Sequence, residues 1–131
     1  AIIGILSAIA IPMYASMQGR ARVARAQSDM RIMVGTLSAY GAHCGDVPLD
    51  AAWPLAGAAS STAVACNTTA GVSALLTPVT DVAGMPAGPF HSSIPQPPTG
   101  WTYAYAKGAI IGLYTLTATP PAGEGAVITL P

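Results

Sequence analysis

The stretch AIIGILSAIAIP, Ala1 to Pro12, decides how the rest of the chain is read. It holds Ile2, Ile3, Ile5, Leu6, Ile9 and Ile11 without a single charge, and these side chains go round a helix on every side instead of along one stripe. A helix of that kind needs burial all round. Eleven residues rise only about 16 Å, against about 30 Å for a hydrocarbon core, so the segment does not cross a bilayer by itself. Two readings follow. In one, it is the later half of a membrane helix, with roughly ten further apolar residues expected before Ala1; in the other, it is a buried core helix of a soluble domain.

Beyond Pro12 the helical character persists but changes kind. In MYASMQGRARVARAQSDMRIMVGTLSAY, Met13 to Tyr40, the residues Val23, Met30, Met33, Val34, Leu37 and Tyr40 recur at spacings of three, four and seven, which gathers them on one face. Gly41 comes next and is expected to end the helix, because glycine readily takes positive φ. A single helix over 1–40 would be roughly 60 Å long, with Gly4, Pro12 and Gly19 as its weak points. It must project beyond any globule that the remaining residues build.

Composition supports the same division. The 131 residues are 52% hydrophobic and 8% charged, with five basic and five acidic side chains, so no net field draws the chain to nucleic acid or anionic lipid. No haem motif, no nucleophile with a base and an orienting group, and no metal-ligand cluster stands out, so neither catalysis nor a cofactor is expected. The eight aromatic rings read as core and loop material.

AIIGILSAIAIP, its small and basic continuation, and ARAQSDMRIMVGTLSAYGAHCGDVP (Ala24 to Pro48) together resemble the N-terminal helix of type IV pilins and of the major pseudopilins of type II secretion. The resemblance is specific over about the first forty-eight residues and architectural beyond. It implies an exported subunit held in the inner membrane before assembly, handled by pilus assembly machinery, and then polymerised into an extracellular helical filament. The assembly residues would be Ile2, Ile3, Ile5, Leu6, Ile9, Ile11, Met13, Tyr14 and Met17. Filaments of the family often lose helix between a glycine and a proline here, and Gly4 and Pro12 occupy those positions. The family's assembly glutamate precedes the positions present, so it has no counterpart to name.

The fold expected is α+β and type IV pilin-like: a long helix over 1–40 and a globular head over 41–131. Residues 41–98 read as loop, with Pro48, Pro54, Pro78, Pro86, Pro89, Pro95, Pro97 and Pro98 and one short helical piece around Gly71 to Leu76. WTYAYA (Trp101–Ala106), IIGLYTLTAT (Ile110–Thr119) and AVITL (Ala126–Leu130) read as strands. They make an antiparallel sheet of three to four strands within 99–131, packed on the Met30–Tyr40 face of the helix.

Several features leave alternatives open. Cys44 and Cys66 would close a disulfide loop of about twenty residues in an exported chain, worth roughly 3 kcal/mol, or else stand as two buried thiols. Arg20, Arg22, Arg25 and Arg31 either meet lipid headgroups and then acidic or carbonyl groups of adjacent subunits, with Arg25 and Asp29 spaced for an i,i+4 pair, or contact DNA; the first is preferred because Lys107 is the only other cation. FHSSIPQPPTGWTYAY (Phe90–Tyr105) resembles the segment leading into the sheet of type II pseudopilins, which follow it with an acidic calcium loop. Here Thr117–Pro131 offers only Glu124, too few oxygens for calcium. Asn67-Thr68-Thr69 matches a glycosylation sequon. A pilus subunit is thus the leading expectation, with a type II pseudopilin or a DNA- or surface-binding minor pilin as alternatives.

Overall fold

The computed structural model describes residues 1–49, 53, 66, 75–76, 78–80 and 83–131. One helix, α1, runs from Ile2 to Cys44, and is about 64 Å long at 1.5 Å per residue. It passes through Pro12 without interruption. Ser7, Thr36 and Ser38 turn their hydroxyls back onto the carbonyls of Ile3, Ile32 and Val34, so these residues, which often compete with helix, are satisfied inside it.

The helix ends one turn later than expected at Gly41. Gly41 stays helical, and its carbonyl accepts the amide of Gly45 at 2.7 Å. Gly45 is the residue that takes the left-handed conformation, at φ 83°. Two glycines four residues apart both suit a stop, and the extra turn carries Cys44 to its partner. The disulfide Cys44–Cys66 ties the helix end to Cys66 across a separation of 22 residues.

Five short strands follow: β1 (Val79–Thr80), β2 (Pro86–Ala87), β3 (Thr102–Lys107), β4 (Tyr114–Thr119) and β5 (Ile128–Leu130). The last three form one antiparallel sheet in the order β3-β4-β5, with Tyr105 opposite Leu116 and Leu116 opposite Leu130. Two strands are shorter than expected. Ile110–Leu113 form a turn, because Gly108 and Leu113 close the hairpin through a 2.7 Å backbone bond, and Ala126–Val127 precede the paired segment. β1 and β2 make a separate two-stranded ribbon inside the segment expected to be loop. Proline at the start of β2 hid it from propensity. Of the helical piece around Gly71 to Leu76, only Leu75 and Leu76 lie among the described residues, and they form a turn in which Leu75 is fully buried.

The core forms where the sheet covers the later half of α1. Met30, Met33, Leu37 and Tyr40 meet Tyr103, Tyr105, Tyr114, Leu116 and Ala118, with Val47, Leu75, Val79 and Ile94 closing the edges. Alternation along β3 and β4 sends every second side chain inward. The architecture is α+β: one long helix, a three-stranded sheet on its C-terminal half and a small ribbon.

Candidate functional site

The first buried residue of α1 is Ala26; everything before it is half-buried or exposed. Ile2, Ile3, Ile5, Leu6, Ile9, Ile11, Met13, Tyr14 and Met17 are 58–81% exposed, so all nine residues expected to drive assembly stand clear of the head. The bare stalk is also longer than the opening segment suggested. No charge appears until Arg20, and Ile2 to Gly19 rise about 27 Å, close to the thickness of a hydrocarbon core. By length and composition, an 18-residue stretch of this helix is apolar enough to cross a membrane, and none of it is buried. Gly4 lies in the stalk, and apart from its own helix backbone and chain neighbours no atom comes within 4 Å of where a side chain would start.

Where the stalk enters the head, a polar shoulder fixes its angle. Arg22 donates through Nε and Nη2 to the two oxygens of Glu124, and Trp101 Nε1 donates to Oε2 at 2.9 Å. These bonds hold the Glu124 carboxyl below its usual range, Arg22 acting most strongly and Trp101 next, while the Arg22 guanidinium is shifted up by the same pair. One turn on, Arg25 reaches the Gln96 carbonyl at 3.2 Å and lies 3.8 Å from Asp29. The Tyr103 hydroxyl donates to Asp29 Oδ2 at 2.8 Å, and burial, then this bond, push the phenol well above its ordinary value.

The expected i,i+4 pair of Arg25 with Asp29 is present, and two of the arginines also reach far along the chain. Arg22 and Arg25 find their acid and carbonyl partners within their own chain, across 102 and 71 residues of sequence. No local pattern signals such a distant pairing. Arg20 and Arg31 make no ion pair among the described residues. Beside the shoulder lie two grooves. One, of about 450 Å³, is lined by Ala15, Gly19, Val23, Gln27, Gly123 and neighbours; the other, of about 340 Å³, by Gln18, Ala21, Pro98 and Thr99 among others.

At the opposite end of the head the sequence reading missed a second cluster. Asp46, 2% exposed, accepts the amides of Val47 at 2.8 Å and Gly112 at 2.7 Å, and its other oxygen lies 3.0 Å from Lys107 Nζ. This carboxylate ties the end of α1 to the β3–β4 turn. The turn in exchange presents Ile110, Ile111 and Leu113, which are 69%, 61% and 49% exposed.

His43 Nε2 lies 3.2 Å from the Met85 carbonyl, and His91 Nδ1 accepts the Ser93 amide, so both imidazoles serve local structure. No group of three histidine, cysteine or acidic side chains converges among the described residues. The glycosylation candidates Asn67, Thr68 and Thr69 lie outside the described residues. Neither protein-family models, nor curated proteins, nor solved structures give a match to this chain.

Proposed function

We propose that the chain is the repeating subunit of an extracellular, type IV pilus-like filament, polymerising through its apolar N-terminal helix. One observation carries the reading: nine large apolar side chains stand exposed on a single stalk, while the same helix is well buried only where the sheet covers it. Burying such side chains is worth about 1.5 to 3 kcal/mol each, so the stalk has no stable place in water. A bilayer accepts it first; a bundle of its own copies accepts it afterwards.

The transfer between these two places has little hydrophobic drive, because lipid tails are as apolar as the bundle. Packing between stalks and the work of assembly machinery must supply the difference. Pro12 lacks an amide to donate to the carbonyl of Ala8 and crowds that turn, so Gly4 to Pro12 is where the helix yields most readily once neighbours surround it.

The test is removal of detergent from the purified full chain. Fibres visible by negative stain, with this polypeptide as their dominant component, are expected. A chain that stays monomeric and soluble without detergent overturns the proposal. Recovery only as a trace component of fibres built from another subunit would favour a minor pilin, and a short detergent-stable periplasmic assembly would favour a pseudopilin.

A further inference from the structure

One arginine of the shoulder stands apart from the others in both depth and pairing. Residues 2–19 carry no charged side chain and rise about 27 Å, close to the roughly 30 Å of a hydrocarbon core. Arg20 comes next, so a stalk seated in a bilayer holds this guanidinium at the level of the headgroups. The remaining cations are engaged or distant. Arg22 is held by Glu124, Arg25 by the Gln96 carbonyl and Asp29, and Lys107 by Asp46 at the far end of the head. Arg31 is exposed, but it lies about 16 Å further along α1, beyond the roughly 8 Å over which physiological salt leaves a charge unscreened. Arg20 is exposed too, and it enters no ion pair among the described residues.

Arg20 also lines the groove of about 450 Å³, which runs along α1 from Ala15 to Gln27 and so straddles the end of the uncharged stretch. Ala15, Gly19 and Val23 give this groove an apolar wall, while Ser16, Arg20 and Gln27 supply donors. Glu124 lines it as well, but its oxygens accept from Arg22 and Trp101 and its charge is answered by Arg22. The charge left to the groove is therefore positive. Glycines keep it open: apart from chain neighbours and the helix backbone around Gly19, neither Gly19 nor Gly123 has an atom within 4 Å of where a Cβ would lie.

This combination suits a phosphodiester with apolar substituents. A guanidinium fork donates two parallel bonds to two phosphate oxygens, the Ser16 hydroxyl and Gln27 amide are further donors, and the apolar wall takes the glycerol and first methylenes of a lipid. Inorganic phosphate would leave that wall uncovered. A zwitterionic headgroup brings its own cation to the same phosphate, so a lipid of net negative charge fits best. The chain as a whole has no net charge, and the attraction is thus local to the groove.

We propose that the shoulder groove binds the headgroup of an anionic phospholipid, with Arg20 on its phosphate, while the stalk lies in the bilayer. The inference deepens the filament reading and rests on its membrane stage. The contact sets the depth of the stalk before assembly, and withdrawal into a fibre must break it.

The full chain in nanodiscs of equal parts phosphatidylglycerol and phosphatidylcholine tests the site, read by native mass spectrometry as the ratio of the two lipids retained. Enrichment of phosphatidylglycerol is expected. Arg20→Gln should lower it about fivefold, and Gly19→Leu, which fills the groove and leaves every charge in place, should lower it as far. Arg31→Gln, with the same change in net charge, should leave it unaltered, and the head should keep its melting temperature in all three. Enrichment that survives Gly19→Leu, or that falls equally with Arg31→Gln, shows diffuse attraction and overturns the proposal. Enrichment lost in sodium phosphate but kept in sodium chloride of the same ionic strength identifies a free-anion site and overturns the lipid assignment. Fibres that form on detergent removal from a chain without enrichment leave the filament reading standing, whereas a chain that does not enter nanodiscs overturns both.

Discussion

At Glu124, two donors from distant parts of the chain converge on one carboxylate, and the stalk's direction depends on it. Because its folded pKa lies below the unfolded value, its contribution to stability is complete above the ordinary glutamate range and is lost as pH falls through the depressed value. The melting-temperature advantage of the native chain over Glu124→Gln should therefore be full at neutral pH and vanish in acid. Asp46 is a different case, since it is 2% exposed and faces a lysine that is itself mostly buried. Asp46→Ala removes the acceptor of two amides and the counter-charge of a mostly buried ammonium, which keeps only neutral partners such as the Gly108 carbonyl, and should cost about 3 to 5 kcal/mol in denaturant unfolding, far more than a surface ion pair. Neither residue is recognisable in advance. Glu124 sits in a Pro-Gly-rich stretch, and Asp46 in a turn, where acidic residues are ordinary.

Among the elements, α1 serves two environments with one continuous hydrogen-bonded rod. Its later half was legible, since Met30, Met33, Leu37 and Tyr40 keep the helical spacing and are all buried. Its end was not, since Gly41 and Gly45 both suit a stop and only packing and the disulfide choose between them. Replacing Cys44 and Cys66 together by serine should lower stability by about 3 kcal/mol through the loop they close, read as an earlier denaturant midpoint. Pro12→Ala restores the missing amide to the Ala8 carbonyl and should strengthen the stalk helix locally by about 3 kcal/mol. Amide exchange over residues 8–12 in detergent should slow accordingly. The sheet was legible in number and order because β3 and β4 alternate cleanly, whereas the β1–β2 ribbon is only two residues wide and carries no period.

For the whole molecule, core and stalk are separable. Every buried residue lies at Ala26 or beyond, so a chain reduced to residues 20–131 should keep the melting behaviour of the head within about 1 kcal/mol and remain monomeric without detergent. Calorimetry and sedimentation of the shortened chain check both. Since residues 2–19 carry no charged side chain, contacts made through this stretch should also change little between low and moderate salt, unlike association driven by exposed ions. A strong salt dependence of fibre yield would place the driving contacts on the shoulder arginines instead.

Local information determined the long helix, the exposed apolar run at its start and the alternation of the late strands, because each of these depends on residues within a few positions of one another. The tertiary structure alone decided that Gly45 and not Gly41 caps the helix, and that Arg22 reaches Glu124 and Arg25 the Gln96 carbonyl, whereas the Cys44–Cys66 bridge was already the reading favoured by the sequence. It alone also placed an apolar turn and an open groove at opposite ends of the head. The physical reason is range. Helical and strand periods are written in neighbouring side chains, whereas ion pairs across a hundred residues and the shapes they hold arise only when the folded backbone brings those residues together.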